Sequence, residues 1–312
     1  MPWWAWVAFT AFIVGILMLD LFIIHGKPHA VSFKKTIGFV VTCVILALLF
    51  CLLILFWQGP TRMMEFLTVY VIEFSLSVDN LFVFLMIFTY FNVPAPYQHR
   101  VLFWGILGAL ALRGIFIAAG TALLAKFHWM LYVFGAFLVF TGVKMATVKN
   151  EGIEPAKNPA VRFVRRWMPV TDYFDGQRFF TRQAGKLMAT PLFLVLLAVE
   201  TTDVIFAFDS VPAALAVSRE PFIVWTSNAF AILGLRSLYF VLAHIMGLFR
   251  YLKYGLSVIL VFIGTKMLLN SLYHIPIHIS LGVVIAIVGL SVMASLLIPA
   301  SGEEKEKDAP EL

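Results

Sequence analysis

Long apolar runs, separated by short joints of Pro, Gly or charge, set the pattern of this chain. Nine runs approach or exceed the roughly 20 residues a helix needs to cross a hydrocarbon layer. They lie at about 4–24, 36–57, 64–91, 101–124, 129–147, 190–213, 222–246, 254–273 and 279–298. In lipid every backbone donor and acceptor must be paired within its own segment or in a closed barrel. Barrel strands would alternate over about ten residues, and runs such as Ile37–Phe56 show no alternation. The pattern therefore predicts an all-α, polytopic transmembrane helix bundle forming a single integral membrane domain. Two N-terminal spans occupy 1–58, three more 64–147, a polar connector 148–189, three further spans 190–273 and a last one 279–298, before a charged tail at 299–312 that is expected to be disordered.

Composition strengthens this picture. Of the 312 residues, 62% are hydrophobic and 13% charged, and the mean hydropathy is +0.94; soluble domains carry about 25% charged residues. The net charge of +6 could suggest nucleic acid, but the basic residues sit mostly at the ends of apolar runs, where they report topology. With the N-terminus outside, the inner side receives Lys27, Lys34, Lys35, Arg100, the eight basic residues of the connector, Arg250, Lys253, Lys305 and Lys307, and the outer side only Arg62, Lys126 and Arg219. The excess of Lys and Arg on cytoplasmic loops predicts a multi-pass membrane protein, N-terminus out and C-terminus in, with no nucleic-acid partner. The connector is too polar to enter the bilayer; its charge suits anionic headgroups or a regulator, and the positive-inside bias accounts for it equally well. No basic stretch precedes the first run, so no cleaved signal peptide is expected, and Trp3, Trp4 and Trp6 suit an interfacial belt. Cys43 and Cys51 share one run and would stand about 12 Å apart on a helix, too far to bridge.

A repeat changes the picture more than composition does. The first half reads Glu73-x5-Asp79-Asn80, then Arg113, then Phe140-Thr-Gly142-Val-Lys144-Met145; the second reads Asp203-x5-Asp209-Ser210, then Arg236, then Phe262-Ile-Gly264-Thr-Lys266-Met267. From Asp79 to Arg113 is 34 residues and from Asp209 to Arg236 is 27; from Arg to Lys is 31 and 30. Each copy holds three spans, an odd number, so the second copy enters from the opposite side. Two inverted three-helix repeats are predicted, an architecture in which secondary transporters bind substrate at the repeat interface.

Glu73, Asp79, Glu200, Asp203 and Asp209 fall inside runs. An Asp at the centre of a membrane helix costs roughly 2.5–3.5 kcal/mol on insertion scales, so these acids must face protein, water, a cation or a proton. Glu73, Ser77 and Asn80 share one helix face, as do Asp203 and Ser210, with Glu200 one turn from Asp203. Asp79 and Asp209 each lie six residues beyond the first acid, about 120° round a straight helix. Either the helices bend, as Pro212 would allow by freeing the carbonyl of Phe208, or the second acids face different neighbours. Carboxylates with Asn and Ser oxygens suit hard cations such as Mn2+, Ca2+ or Mg2+. The plainer alternative is structural: Arg113, Lys144, Arg236 and Lys266 could neutralise the acids as ion pairs between helices, or compete with a cation for them. Asp20 reads as a cap or pairing residue, and His244 as helix packing.

Leu19-Asp20-Leu21, His29-Ala-Val-Ser-Phe-Lys34, Glu73-Phe-Ser-Leu-Ser-Val-Asp79-Asn80, Arg113-Gly114 and Glu200-Thr-Thr-Asp203-Val-Ile-Phe-Ala-Phe-Asp209-Ser210-Val-Pro212 closely resemble the TerC/Alx family of bacterial membrane proteins, within the LysE-like transporter superfamily. The resemblance covers nearly the whole chain. It implies an Mn2+ site formed by the acidic motifs, with Glu73, Asp79, Asn80, Glu200, Asp203, Asp209 and Ser210 as metal ligands, and manganese efflux as the activity. The family's association with tellurium resistance does not extend to tellurite transport here, because an acid-lined site would repel an oxyanion. The alternative function is a membrane scaffold for secretion or stress machinery with a structural ion, and a second copy of the chain or a secretion component are the protein partners left open. No His-Glu-x-x-His and no convincing Ser/His or Ser/Lys pair is present, so enzyme activity is not expected.

Overall fold

The computed structural model describes residues 2–24, 33–127, 129–147, 158–183, 186–242, 251–269 and 275–297. Among these residues eleven helices and one antiparallel strand pair follow in order: α1 Trp3–Ile24, α2 Phe33–Gln58, α3 Pro60–Tyr90, α4 Ala95–Lys126, α5 Met130–Thr147, α6 Pro159–Trp167, β1 Phe180–Gln183, β2 Lys186–Ala189, α7 Pro191–Val217, α8 Pro221–Leu233, α9 Leu235–Leu242, α10 Leu252–Leu268 and α11 Ile277–Leu297. The fold is an all-α polytopic membrane bundle. Among the described residues six helices are long and apolar enough to cross a membrane, namely Thr36–Gln58, α3, α4, α5, α7 and α11, and Trp3–Met18 and α8 are shorter apolar helices. The expectations for His244 and for the tail 299–312, and for the side chain of Asp20, lie outside what the structure describes.

Proline punctuates the helix starts. Pro60, Pro159, Pro191 and Pro221 each stand in the first turn of α3, α6, α7 and α8, where a missing N–H costs nothing and the fixed φ already suits a helix. The run predicted at 222–246 is interrupted: α8 ends at Leu233 and α9 begins at Leu235, with Gly234 between them. The connector also holds structure that its polarity alone did not announce, α6 and the antiparallel β1–β2 pair.

The helices bearing the two acidic motifs cross in opposite directions. At one end the start of α3 meets the α7–α8 joint: Arg62 donates to Glu65 at 2.8 Å and to Glu220 at 2.9 Å, and Ser218 Oγ donates to Glu65 at 2.6 Å. Helix α4 runs beside α7 in the same direction, with Phe116 against Phe208 at 5.1 Å between ring centroids. Helices α1 and α2 pack outside this centre through Phe9, Phe50, Phe66, Phe222 and Phe230, whose rings approach at 5.2–6.1 Å. Trp4 on α1 stacks on Trp57 at the end of α2, and both are exposed, as an interfacial belt requires. Leu49, Leu52, Phe56, Leu290 and Leu297 are exposed too, an apolar surface suited to acyl chains and not to water.

Helices α5 and α10 are packed backbone to backbone. A Cβ at Gly135 would lie 2.9 Å from the carbonyl oxygen of Gly264, and a Cβ at Gly264 would lie 2.6 Å from that of Gly135. One turn and more along, Ser257 Oγ donates to the carbonyl of Gly142 at 2.6 Å. Small residues drive membrane helices together by allowing such approach. Gly264→Leu is therefore expected to lower stability by about 1–3 kcal/mol, the usual cost of overpacking, as a fall in unfolding temperature in detergent, while Gly282→Ala, in open space, is expected to change little.

Candidate functional site

At the centre of the bundle, three helices present three charged side chains to one another. Glu73 comes from α3, Arg113 from α4 and Asp203 from α7, and all three are buried. Arg113 Nη1 donates to Glu73 Oε2 at 2.6 Å, and Nη2 donates to Asp203 Oδ1 at 3.4 Å. One guanidinium thus clamps a carboxylate from each acidic motif, tightly on Glu73 and loosely on Asp203. With both carboxylates ionised, one guanidinium would leave the triad one negative charge in excess, which a buried site holds only with further compensation.

Compensation is visibly incomplete. Among the described residues, Glu73 Oε1, Asp203 Oδ2 and Arg113 Nε meet no partner at hydrogen-bond geometry, nor do the Oγ atoms of Ser77 and Ser210 or the Nδ2 of Asn80. Buried polar atoms are nearly always satisfied, and leaving one unpaired costs about 1–3 kcal/mol. A free oxygen on each of the two carboxylates suits a small, hard, positively charged guest better than an apolar or anionic one.

The motifs do not converge as one cluster. Glu200, half-buried, neighbours Asp203 and lies over α4 at Gly108, where an added Cβ would run into its carboxylate. Asp209 turns elsewhere, towards Thr141 and Lys144 of α5. Helix α7 stays helical through Pro212, so the six-residue spacing has its simple consequence: the second acid looks at a different neighbour. Asn80 and Ser210 are buried; Asp79 falls on α3, and its side chain lies outside what the structure describes. Among the described residues, no three His, Cys, Asp or Glu side chains converge closely enough to hold a metal ion; at the centre Arg113 stands between the carboxylates instead.

The four basic candidates have separate fates. Arg113 is the central pair. Lys266 Nζ donates to Ser280 Oγ on α11 at 2.8 Å and lies near Glu65, so it belongs to the outer Arg62–Glu65–Glu220 group. Lys144, exposed on α5, lies near Asp209, and Arg236 is buried on α9. Sequence reasoning passed over Asn228. It is fully buried on α8 with its side chain directed at the Glu73 carboxylate, and its amide atoms fall short of strict hydrogen-bond geometry among the described residues. Its signal was available, since Thr226-Ser227-Asn228 interrupts an otherwise apolar run.

Comparison with known proteins decides the family. A model described as "Integral membrane protein TerC family" matches residues 58–303. The chain belongs to the TerC family. Among its relatives, an uncharacterized membrane protein of Myxococcus xanthus is 49% identical over 98% of this chain and 96% of its own length. Alx of Salmonella typhi, whose name suggests a membrane-bound redox modulator, is 48% identical over 96% of each chain; the Alx of Escherichia coli K12 is 49% identical over 90% of this chain and 91% of its own. No solved structure matches. The matched region takes in the whole triad and both acidic motifs, so the site described above is a feature of the TerC region of this chain.

Proposed function

We propose that this TerC-family protein is a transporter that exports a divalent cation, most favourably Mn2+, from the cytoplasm. One observation carries the reading: Glu73 and Asp203, from antiparallel helices in the two halves of the chain, share a single guanidinium while each keeps an unpartnered oxygen. Ionisable residues inside a membrane protein mark ion pathways by default. In this mechanism Arg113 is the resting counter-cation. When it withdraws, Glu73, Asp203 and the carbonyl oxygen of Asn228 offer hard oxygen ligands, and the cargo exchanges its water for them. Return of the guanidinium expels the cargo, so the carboxylates are never both bare. Glu200 beside Asp203 either ligates or carries a proton in exchange, and Asp209 forms a second station facing α5. The two halves rock as inverted repeats about the triad.

The Alx name attaches redox modulation to those relatives. In this chain Cys43 and Cys51 are buried and unbridged on α2, about 12 Å apart along the helix, so they form no dithiol couple with each other, and we do not propose a thiol route.

Inside-out vesicles containing the protein are expected to accumulate Mn2+ above empty vesicles, and the purified protein to bind Mn2+ in preference to Ca2+ and Mg2+ by isothermal titration. A scaffold with a structural ion would bind without accumulating. Absence of uptake from well-inserted protein would remove the transport reading.

A further inference from the structure

The connector contains a surface that the central site does not use. Helix α6 is capped by Asn158, whose side-chain oxygen accepts from Ala160 N at 2.9 Å, and it buries Val161. Arg165 turns into an open cleft of about 420 Å3 shared with Asp172 and with Pro191 and Leu194 in the first two turns of α7. That contact sets α6 level with the start of α7, a helix long and apolar enough to cross a membrane. The face pointing away from the bundle carries Arg162, Phe163, Arg166 and Trp167, all exposed. Phe163 and Trp167 are 61% and 75% exposed, with ring centroids 5.7 Å apart. At 100° per residue the two arginines and the two rings form adjoining stripes, and among the described residues neither arginine takes part in an ion pair.

We propose that α6 lies flat on the bilayer surface at the connector's side of the membrane and binds anionic lipid headgroups through Arg162 and Arg166, with Phe163 and Trp167 inserted at the acyl boundary. The lipid's phosphate and negative charge complement the two guanidiniums. Exposed aromatic rings beside a basic stripe are the composition of an interfacial helix, and Trp prefers that depth. An exposed aromatic pair in water would be an apolar liability. A flat surface on which the helix is already seated removes it without any rearrangement. Because α6 joins the first five helices to α7, the lipid contact ties the connector between the two halves to the membrane plane. None of this rests on the identity of the cargo.

The test uses the full protein in nanodiscs, with the Trp167 signal isolated as wild type minus Trp167→Phe. Bromine-labelled phosphatidylglycerol is expected to quench that signal more than bromine-labelled phosphatidylcholine, and soluble acrylamide is expected to reach it poorly. Arg162→Gln with Arg166→Gln is expected to abolish the preference for the anionic lipid, by roughly fivefold per arginine, while leaving the Mn2+ response of the protein intact. Equal quenching by both lipids would overturn the anionic assignment. Free access of acrylamide without lipid quenching would overturn the surface contact altogether, and would mark the face as one for a soluble partner.

Discussion

Arg113→Ala is expected to strip most of the folded protein from a detergent extract. The substitution leaves Glu73 and Asp203 facing each other in a dry centre, and breaking a buried ion pair by removing one partner costs about 3–5 kcal/mol. The loss is read as a fall in the unfolding temperature and in the monodisperse fraction on gel filtration. A second readout separates structure from function. If the two carboxylates are the cargo site, Mn2+ takes the place the guanidinium has vacated and restores stability. A ligand that binds only the folded state at a hundred times its Kd adds about 2.7 kcal/mol, enough to recover much of the loss. Wild type, whose carboxylates are already engaged, is expected to respond less. An unfolding temperature unmoved by Arg113→Ala would mean that Arg113 compensates nothing; a large fall that Mn2+ cannot repair would mean that the acids do not form a cation site.

The clamp also explains why a membrane protein tolerates two acids at this depth. Arg113, on a third helix, is the ion-pair partner of both Glu73 and Asp203 among the described residues. The guanidinium, planar and always charged, can hold two carboxylates at once where an ammonium would be a point charge. The unequal distances, 2.6 Å to Glu73 and 3.4 Å to Asp203, make Asp203 the side from which the clamp opens with least loss. Asp203 also has Glu200 beside it.

Much of this was legible in the sequence, for physical reasons that differ by residue. The all-α membrane bundle was legible because lipid demands long apolar helices, although six helices, not nine, are long and apolar enough to cross among the described residues; Pro60, Pro191 and Pro221 mark helix starts by their chemistry. That Asp209 parts company with Asp203 was one of two outcomes that six residues of helix left open, the other being a bend at Pro212. What was not legible was partner choice. Lys144 and Lys266 occupy matching places in the repeat, yet Lys144 lies near Asp209 and Lys266 reaches Ser280 beside Glu65. Tertiary packing alone distributes them. Asn228 escaped notice because an amide costs less to bury than a charge, and so stands out less against an apolar run. Helix α6 escaped because the connector was weighed by its polarity, although Asn158-Pro159 followed by Val161 and Val164 is a helix-start signal with a buried face. Gly234, which separates α8 from α9, stands in an apolar run where a lone Gly is ordinarily tolerated.

The most decisive expected result concerns the triad replaced as a unit. Glu73→Gln, Arg113→Met and Asp203→Asn together remove the ion pair and its net charge while keeping nearly the same volume. Replacing a buried ionic cluster with neutral groups is often harmless to folding, or stabilising by about 1–4 kcal/mol, so the triple variant is expected to insert, purify and unfold much as wild type does. It is also expected to accumulate no Mn2+ in inside-out vesicles, because the centre then offers only neutral oxygens to a doubly charged guest. This dissociation distinguishes the two readings of the same geometry. If the acids exist to hold helices together, a neutral centre that folds should transport as before. If they exist to receive cargo, the protein keeps its shape and loses its activity. Wild-type uptake by the triple variant would assign Glu73, Arg113 and Asp203 to architecture and move the cation path to Glu200 and Asp209, the acids that the clamp does not touch.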